Sequence, residues 1–270
     1  MSDRITWDPR KTWPTQMLRL HGRVVLALML RDIKTRMGGS YFGFAFGLIL
    51  PLGHLGIVLA VYLIMGRRAA LGTDAASFLT TAIVPFIIWS YTHQKIIQSF
   101  AQNIPLLSFP IVRIIDILLA RSIVEILNSS IIIIITLISI SLIGSDILFY
   151  DRPLALLSAF LAYLFGVSTG YFFGLIGQIF PVVNLVGFLI IPLNWLVCGV
   201  FFIPEALPDQ VRWAVSWFPL SHIVDIARLA VYPTYLSTFA RVDFVLTITL
   251  GNILLTISIE RLARTKIPAA

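Results

Sequence analysis

A few groups of residues in this sequence have types and spacing that suggest chemistry. The segment GVSTG, residues 166–170, matches the G-x-S-x-G pattern of hydrolases. That pattern needs a strand before the serine and a helix after it. Here it lies in the middle of a long apolar segment, with no base placed nearby. We therefore interpret Gly166, Gly170 and Gly174 as small residues that let two membrane helices approach closely.

Other signals for catalysis or metal binding are missing. The four histidines (His21, His54, His93 and His222) are scattered without metal-ligand spacing, and the single cysteine, Cys198, lies in an apolar run. The phosphate-binding pattern G-x-x-x-x-G-K-[ST] does not occur. Acidic residues avoid the middle of the apolar runs, which argues against an ion-coupled carrier. We expect a chain that is not an enzyme and binds no metal or cofactor.

Aromatic side chains are the residues best suited to contact a substrate. Sugar rings stack through their C–H groups on aromatic faces, which carry partial negative charge. Trp and Tyr also form belts at both membrane interfaces, and that alternative stays open for each residue. The aromatic candidates for a substrate path are Tyr41, Phe42, Phe46, Trp89, Tyr91, Trp195, Phe201 and Phe202.

Composition predicts that membrane helices hold these aromatic residues. Hydrophobic residues make up 58% of the 270 residues and charged residues 12%, with a mean hydropathy of +0.93. Soluble domains normally carry about 25% charged residues. The net charge of +7 is compatible with nucleic-acid binding, but the charges lie at the ends of apolar runs. We predict an all-α integral membrane protein with no nucleic-acid partner.

The apolar runs predict six transmembrane helices in one domain covering residues 41–270. About 20 apolar residues cross the roughly 30 Å hydrocarbon core. Fourteen of the twenty Lys and Arg residues fall on the side that holds both termini, which predicts cytoplasmic termini. The predicted spans cover residues 41–65, 78–100, 122–143, 154–177, 185–203 and 242–260.

Residues 1–40 are predicted as a cytoplasmic N-terminus with an amphipathic helix in the membrane interface. The apolar run at residues 24–30 extends only about 10 Å as a helix, too short to span. Arg31, Lys34 and Arg36 supply cations that suit a partner or an anionic lipid head. An ordinary basic flank that anchors the chain is the alternative.

Two further segments interrupt the apolar pattern. In residues 101–121, prolines stop helices, and we predict a short cytoplasmic helix in which Arg113, Asp116, Arg121 and Glu125 have the spacing of helical ion pairs. Residues 204–235 are too polar and proline-broken to span, and too apolar for a solvated loop. We predict short re-entrant helices there, with candidate gate residues Pro204, Pro208, Trp213, Trp217, Pro219, Asp225 and Arg228. Trp213 and Trp217 should share a face, and Asp225 and Arg228 should pair.

Several local sequences together resemble a known family. They are RDIKTR (31–36), IVPF (83–86), PLLSFP (105–110) and WFPL (217–220), with Arg228 before the last span. The chain resembles the membrane subunit of ABC-2 type polysaccharide exporters, in particular the KpsM-type permeases of capsular polysaccharide export. The resemblance covers nearly the whole chain. It implies the type V exporter fold, with re-entrant helices between the last two spans.

The resemblance also implies partners and a role. A homodimer would bind two copies of a separate ATPase subunit that holds ATP and Mg²⁺. A periplasmic polysaccharide co-polymerase and an outer-membrane export protein would carry a lipid-linked polymer onward from the bacterial inner membrane. An O-antigen or teichoic-acid-type permease, a drug or lipid exporter, and a scaffold without a transport path are the alternatives. The residues implied to couple with the ATPase are Pro105, Leu106, Leu107, Phe109, Pro110, Arg113 and Asp116.

Overall fold

The described part of the chain is built from α-helices, with short 3₁₀ turns between them. The computed structural model describes residues 14–36, 41–66, 68–103, 105–106, 109, 111–145 and 147–263, and the side chains of 14–16, 18, 36, 41–52 and 263 lie outside that description. No strand occurs in the described ranges. Their helices are α1 (Pro14–Arg36), α2 (Tyr41–Ile64), α3 (Ala75–Asn103), α4 (Ile114–Leu142), α5 (Arg152–Ile179), α6 (Val182–Val197), α7 (Asp209–Val215), α8 (Pro219–Val231) and α9 (Val242–Ala263).

Four of these helices are long and apolar enough to cross a membrane. They are α3, α4, α5 and α9, and the pair α7–α8 would add a fifth if its two helices, bent by 104°, formed one span. This confirms the predicted all-α membrane protein. The finer prediction of six spans stays a prediction, since α6 has only 16 residues and much of α2 lies outside the side-chain description.

The helices divide the molecule into two ends. The described residues between α3 and α4 (105–106, 109 and 111–113) and residues 180–181 lie at one end, which we call the link end. The described residues between α2 and α3 and between α4 and α5, together with residues 198–241, lie at the other, the cap end. At the cap end, Asp74 caps α3 through the Ser77 amide at 2.9 Å, and Asp151 caps α5 through the Leu154 amide at 2.9 Å.

The short helix predicted before the third span and the span itself run together in α4. They form one continuous helix from Ile114 to Leu142. The Asp116 carboxylate accepts a hydrogen bond from the Arg113 backbone amide at 3.0 Å and fixes the first turn. The position at which this helix enters the membrane, predicted at residue 122, stays a prediction.

The central contact of the fold is the packing of α5 on α3, the most extensive helix pair. A Cβ atom at Gly166 would lie 2.9 Å from the Trp89 carbonyl oxygen, and one at Gly170 would lie 2.8 Å from Ile96 Cβ. The glycines therefore permit this approach, as predicted. Ser168 is buried and donates its hydroxyl to the Phe165 carbonyl at 3.0 Å, so it is no nucleophile.

Candidate functional site

Several predicted site residues line a semi-open groove between α2, α3 and α6. Two adjoining cavities of about 560 and 470 Å³ share His54, Tyr91 and Trp195 in their linings. We call their union the aromatic groove. Its remaining lining residues are Gly53, Ile57, Val58, Val61, Phe86, Ser90, Gln94, Lys95, Ile191, Pro192 and Phe201.

Ring contacts and one hydrogen bond order the wall of the aromatic groove. Trp195 Nε1 donates to His54 Nε2 at 3.0 Å, so His54 accepts on that nitrogen. The Phe201 ring meets Trp195 edge-to-face at 5.0 Å between centroids, and Phe86 meets His54 similarly at 5.8 Å. Such contacts fix the ring planes. The wall therefore presents oriented aromatic faces and few unsatisfied polar groups.

The structure brings three of the predicted path residues together and separates others. Tyr91, Trp195 and Phe201 line one groove, although contact with a substrate stays a prediction. Trp89 is fully buried between His93 and Phe165, facing α5, because residues two apart on a helix point in different directions. Phe202 contributes its carbonyl to the cap end and is outside the groove lining. Tyr41, Phe42 and Phe46 belong to α2, but their side chains lie outside the described residues.

Sequence reasoning missed the polar residues of the groove. His54 is the polar side chain that α2 contributes to the groove lining, and Ser90, Gln94 and Lys95 follow one side of α3. Ser90 donates to the Ile87 carbonyl at 3.3 Å, and Lys95 donates to the Gln98 side chain at 3.5 Å. Gln94 and Lys95 are the members of this row nearest the link end. The spacing 90, 91, 94, 95 is the helical i, i+1, i+4, i+5 pattern, and it would have indicated this face.

A second cluster of polar residues attaches α1 to the bundle near the link end. His21 Nδ1 lies 3.0 Å from both Asp116 carboxylate oxygens, and Arg121 pairs with Asp32 at 2.6 Å. Arg121 also pairs with Glu125 at 3.2 Å, which confirms the predicted i+4 spacing. Arg31 donates to the Asn103 side chain at the end of α3. The amphipathic helix is therefore fixed to α3 and α4 by partly buried polar contacts.

The predicted coupling residues have different environments. Asp116 is only 2% exposed and holds His21, so it lies inside the α1–α4 contact rather than on a docking surface. Phe109 is 57% exposed, and Pro105 and Arg113 are also exposed, while Leu106 is half-buried. Lys34 is exposed on α1. Leu107 and Pro110 lie outside the described residues, as does the Arg36 side chain.

The cap end is organised by the prolines that the sequence indicated. Pro204 starts a 3₁₀ turn, Pro208 precedes α7, and Pro219 is the first residue of α8. Trp213 and Trp217 are both exposed and lie edge-to-face at 6.1 Å, so they share a face as predicted.

Asp225 and Arg228 do not form the predicted pair. Asp225 accepts hydrogen bonds from Tyr235, at 2.7 Å, and from Ser237. Arg228 is fully buried and donates to the carbonyls of Gly199 and, at 2.8 Å, Phe202. Each side chain is thus bound by residues outside α8. The spacing of Asp225 and Arg228 along α8 does not reveal these partners.

Glu205, in the 3₁₀ turn that begins at Pro204, connects that turn to residues 238–239 and to α7. Its carboxylate accepts from the amides of Thr238, at 2.6 Å, and Phe239, at 3.0 Å, and pairs with Arg212 at 2.9 Å. Burial raises the pKa of Glu205, but the hydrogen bonds from Thr238, Ser237 and Phe239 outweigh it and lower the pKa below the ordinary value. The ionised carboxylate is therefore the form that this arrangement stabilises.

Comparison with known proteins assigns the family. The family model described as ABC-2 type transporter matches residues 23–232, from α1 to the end of α8. This chain belongs to the ABC-2 transporter family. The match covers the three helices that line the aromatic groove, the part of α1 from residue 23 onward, and α7 and α8 of the cap end. The ABC-2 domain is the membrane-spanning, permease type of subunit, in accord with the missing phosphate-binding loop.

Individual relatives of this ABC-2 protein match along most of its length. It is 26% identical over 238 residues to the polysialic acid transport protein KpsM of Escherichia coli, covering 88% of this chain and 92% of the relative. It is 25% identical over 249 residues to the capsule polysaccharide export inner-membrane protein BexB of Haemophilus influenzae, covering 91% and 92%. For CtrC of Neisseria meningitidis serogroup A, which carries the same description as BexB, identity is 25% over 257 residues, covering 92% and 94%.

Proposed function

We propose that this chain is the permease subunit of an ABC transporter that exports a lipid-linked capsular polysaccharide across the bacterial inner membrane. ATP and Mg²⁺ bind on a separate ATPase subunit, whose hydrolysis drives transport. The observation that carries the proposal is the aromatic groove in a member of the ABC-2 family. The names of the relatives, which describe polysialic acid transport and capsule polysaccharide export, support the substrate class.

The groove suits a sliding carbohydrate chain for a physical reason. Sugar C–H groups stack on Tyr91, Trp195 and Phe201 without strong directional hydrogen bonds. Deep polar sites would hold each sugar and slow its movement. Gln94 and Lys95 lie on the side nearest the link end, where an acidic polymer would enter and meet a cation.

Two copies of the chain would convert the open groove into a channel. The groove is open on one side, where its lining residue Ile57 is exposed, and Leu193 and Leu196 of α6, outside the groove lining, are exposed as well. Apolar walls around an open path suit a homodimer in which the two grooves face each other. The lining residues of both grooves would then surround one central channel.

The proposed topology has six spans with both termini in the cytoplasm. The 24 residues of α2 extend about 36 Å and the 16 of α6 about 24 Å, so α6 requires part of residues 198–203 to complete a span. The excess of Lys and Arg on the link-end side orients that end to the cytoplasm. The α7–α8 pair then forms a re-entrant cap on the periplasmic side, next to the co-polymerase and outer-membrane export partners.

Coupling to the ATPase is assigned to the link end. Phe109 and Arg113 are exposed between α3 and α4, where a partner has direct access. The polar contacts that fix α1 to α4 make α1 move with that helix. Lys34 remains exposed on α1 for the ATPase or for the phosphate of the lipid anchor.

Export assays in a capsulated host test this function. Deletion of the gene should remove surface polysaccharide while polymer accumulates inside the cell, and the intact gene should restore export. Trp195→Ala should reduce export at normal protein levels, whereas Trp213→Ala, a change of the same size at the cap end, should reduce it less. Surface polymer that is unchanged by the deletion would refute the function.

A further inference from the structure

A second cavity, away from the aromatic groove, lies between α3, α4, α5 and α8. Its volume is about 310 Å³. Thr81 and Pro85 of α3, Leu137 of α4, Ala159 of α5 and Ala227 of α8 are among its lining residues. An aliphatic cavity of roughly 150 Å³ holds a benzene molecule, so this one has room for a larger apolar group. We call it the lipid pocket, for the reasons that follow.

The threonines and the serine in the lining of the lipid pocket do not make its surface polar. Thr80 donates its hydroxyl to the Ala76 carbonyl at 2.7 Å, and Thr81 donates to the Phe78 carbonyl at 2.7 Å. Ser158 donates to the Ile223 carbonyl at 2.9 Å. These hydroxyls are satisfied by backbone, so they offer little to water or to a sugar. The pocket therefore favours a hydrocarbon ligand.

The position of the pocket corresponds to one leaflet of a bilayer. Pro85 lies ten residues from the cap-end start of α3, and Ile133 lies nine residues from the cap-end terminus of α4. At 1.5 Å per residue the pocket reaches about 15 Å in from the cap end, half of the roughly 30 Å hydrocarbon core. Leu156, which lines the pocket, is 71% exposed, so the pocket opens toward the surrounding lipid.

A cation stands at the headgroup end of this pocket. Arg152, the first residue of α5, is exposed and also lines the pocket. Among the described residues no acidic side chain lies within ion-pair distance of it, and neighbouring Asp151 caps the Leu154 amide. A guanidinium binds phosphate oxygens in a bidentate manner. The apolar cavity thus lies at the depth of a lipid acyl chain, and Arg152 lies at the depth of the lipid phosphate.

We propose that this pocket binds one phospholipid of the cap-end leaflet, with an acyl chain between α3, α4 and α5 and its phosphate on Arg152. The site is independent of the transported substrate and does not rest on the proposed function. The bound chain would fill the space beside α8, the helix under the cap. It would also hold the cap end of α4 against α5.

The test measures lipid retained by the purified full-length protein in detergent, by native mass spectrometry. The probes are phosphatidylglycerol and a diacylglycerol with the same chains but no phosphate. Ala159→Phe, which fills the pocket, should lower retention of both about tenfold. Arg152→Gln should lower phosphatidylglycerol retention about tenfold and leave diacylglycerol unchanged, since charge-assisted hydrogen bonds are the stronger ones.

Matched controls keep the test independent of folding. Ala60→Phe changes an exposed alanine of α2, and Arg241→Gln changes an exposed cap-end arginine, both outside the pocket lining. If Ala159→Phe does not elute as folded protein, Leu156→Trp at the exposed mouth replaces it.

Three outcomes would overturn the proposal. The first is equal retention by the pocket variants and their controls. The second is a polypeptide bound at the pocket in place of lipid. The third is a dimer weakened by Ala159→Phe while lipid retention is unchanged, which would mean that a second copy covers the pocket.

Discussion

Replacing Arg228 by methionine should destabilise the cap end more than any other single change of an arginine there. The guanidinium is fully buried, donates to the carbonyls of Gly199 and Phe202, and lies 4.7 Å from the Phe78 ring centroid. Methionine keeps a long apolar side chain but provides no donor, so both carbonyls lose their charged partner.

The magnitude follows from these contacts. Each buried acceptor left without a donor costs about 1–3 kcal/mol, and the lost cation–π contact adds about 1 kcal/mol. Relief of the desolvation of the arginine offsets part of this. We expect a net loss of about 3 kcal/mol, which lowers Tm by about 10 °C in a chain of roughly this size.

The assay is thermal unfolding of the purified protein in mild detergent, followed by size-exclusion elution. Arg212→Met is the control, because Arg212 is partly exposed and solvent weakens its ion pairs with Glu205 and Asp209. Arg228→Lys should fall between wild type and Arg228→Met, since one ammonium cannot reproduce the planar donor geometry. A Tm for Arg228→Met within about 2 °C of wild type would refute the reasoning.

Three further predictions concern the pH response, the helix contact and α1. The pKa of Glu205 is depressed below its unfolded value of 4.5. The ionised carboxylate should therefore stabilise the folded protein fully above pH 4.5, and this stabilisation should be lost as the pH falls through the depressed folded pKa. Glu205→Gln should flatten the dependence of Tm on pH in that range, and an unchanged dependence would contradict this. Gly170→Leu should lower Tm strongly, because its Cβ would lie 2.9 Å from the His93 carbonyl oxygen. Gly251→Ala, where nothing lies within reach of the added Cβ, should leave Tm unchanged or raise it. Similar Tm values for the two variants would exclude the close contact at Gly170. Asp116→Ala should increase hydrogen exchange in α1 but not in α5, because it removes both the His21 contact and the cap of α4. Exchange that rises equally in both helices would argue against a local attachment of α1 to α4 through Asp116.

Much of the architecture could be predicted from the sequence because its signals are local. Apolar length and composition predicted the membrane helices, and Gly166 and Gly170 predicted a close helix contact, which the structure shows to be with α3. Pro204, Pro208 and Pro219 marked the breaks at the cap end. Each of these features depends on steric or backbone properties of the residue itself.

The parts that were wrong or missed depend on contacts between distant segments. Trp89 and Tyr91 are two residues apart, and only helix packing decides that Trp89 faces α5 while Tyr91 faces the groove. Arg228 has the spacing to reach Asp225, yet it binds carbonyls 26 and 29 residues away. Composition also could not indicate the lipid pocket, since its walls come from four helices.

The proposed path of the polysaccharide is the aromatic groove. A photo-crosslinking amino acid at Tyr91 in the functioning transporter would detect polymer in that path, with Phe160 on α5, outside the groove lining, as the control position. Crosslinking should be followed by detection of polymer on the purified chain. We predict polymer attached at position 91 and none at position 160. Polymer at 160 with none at 91 would contradict it.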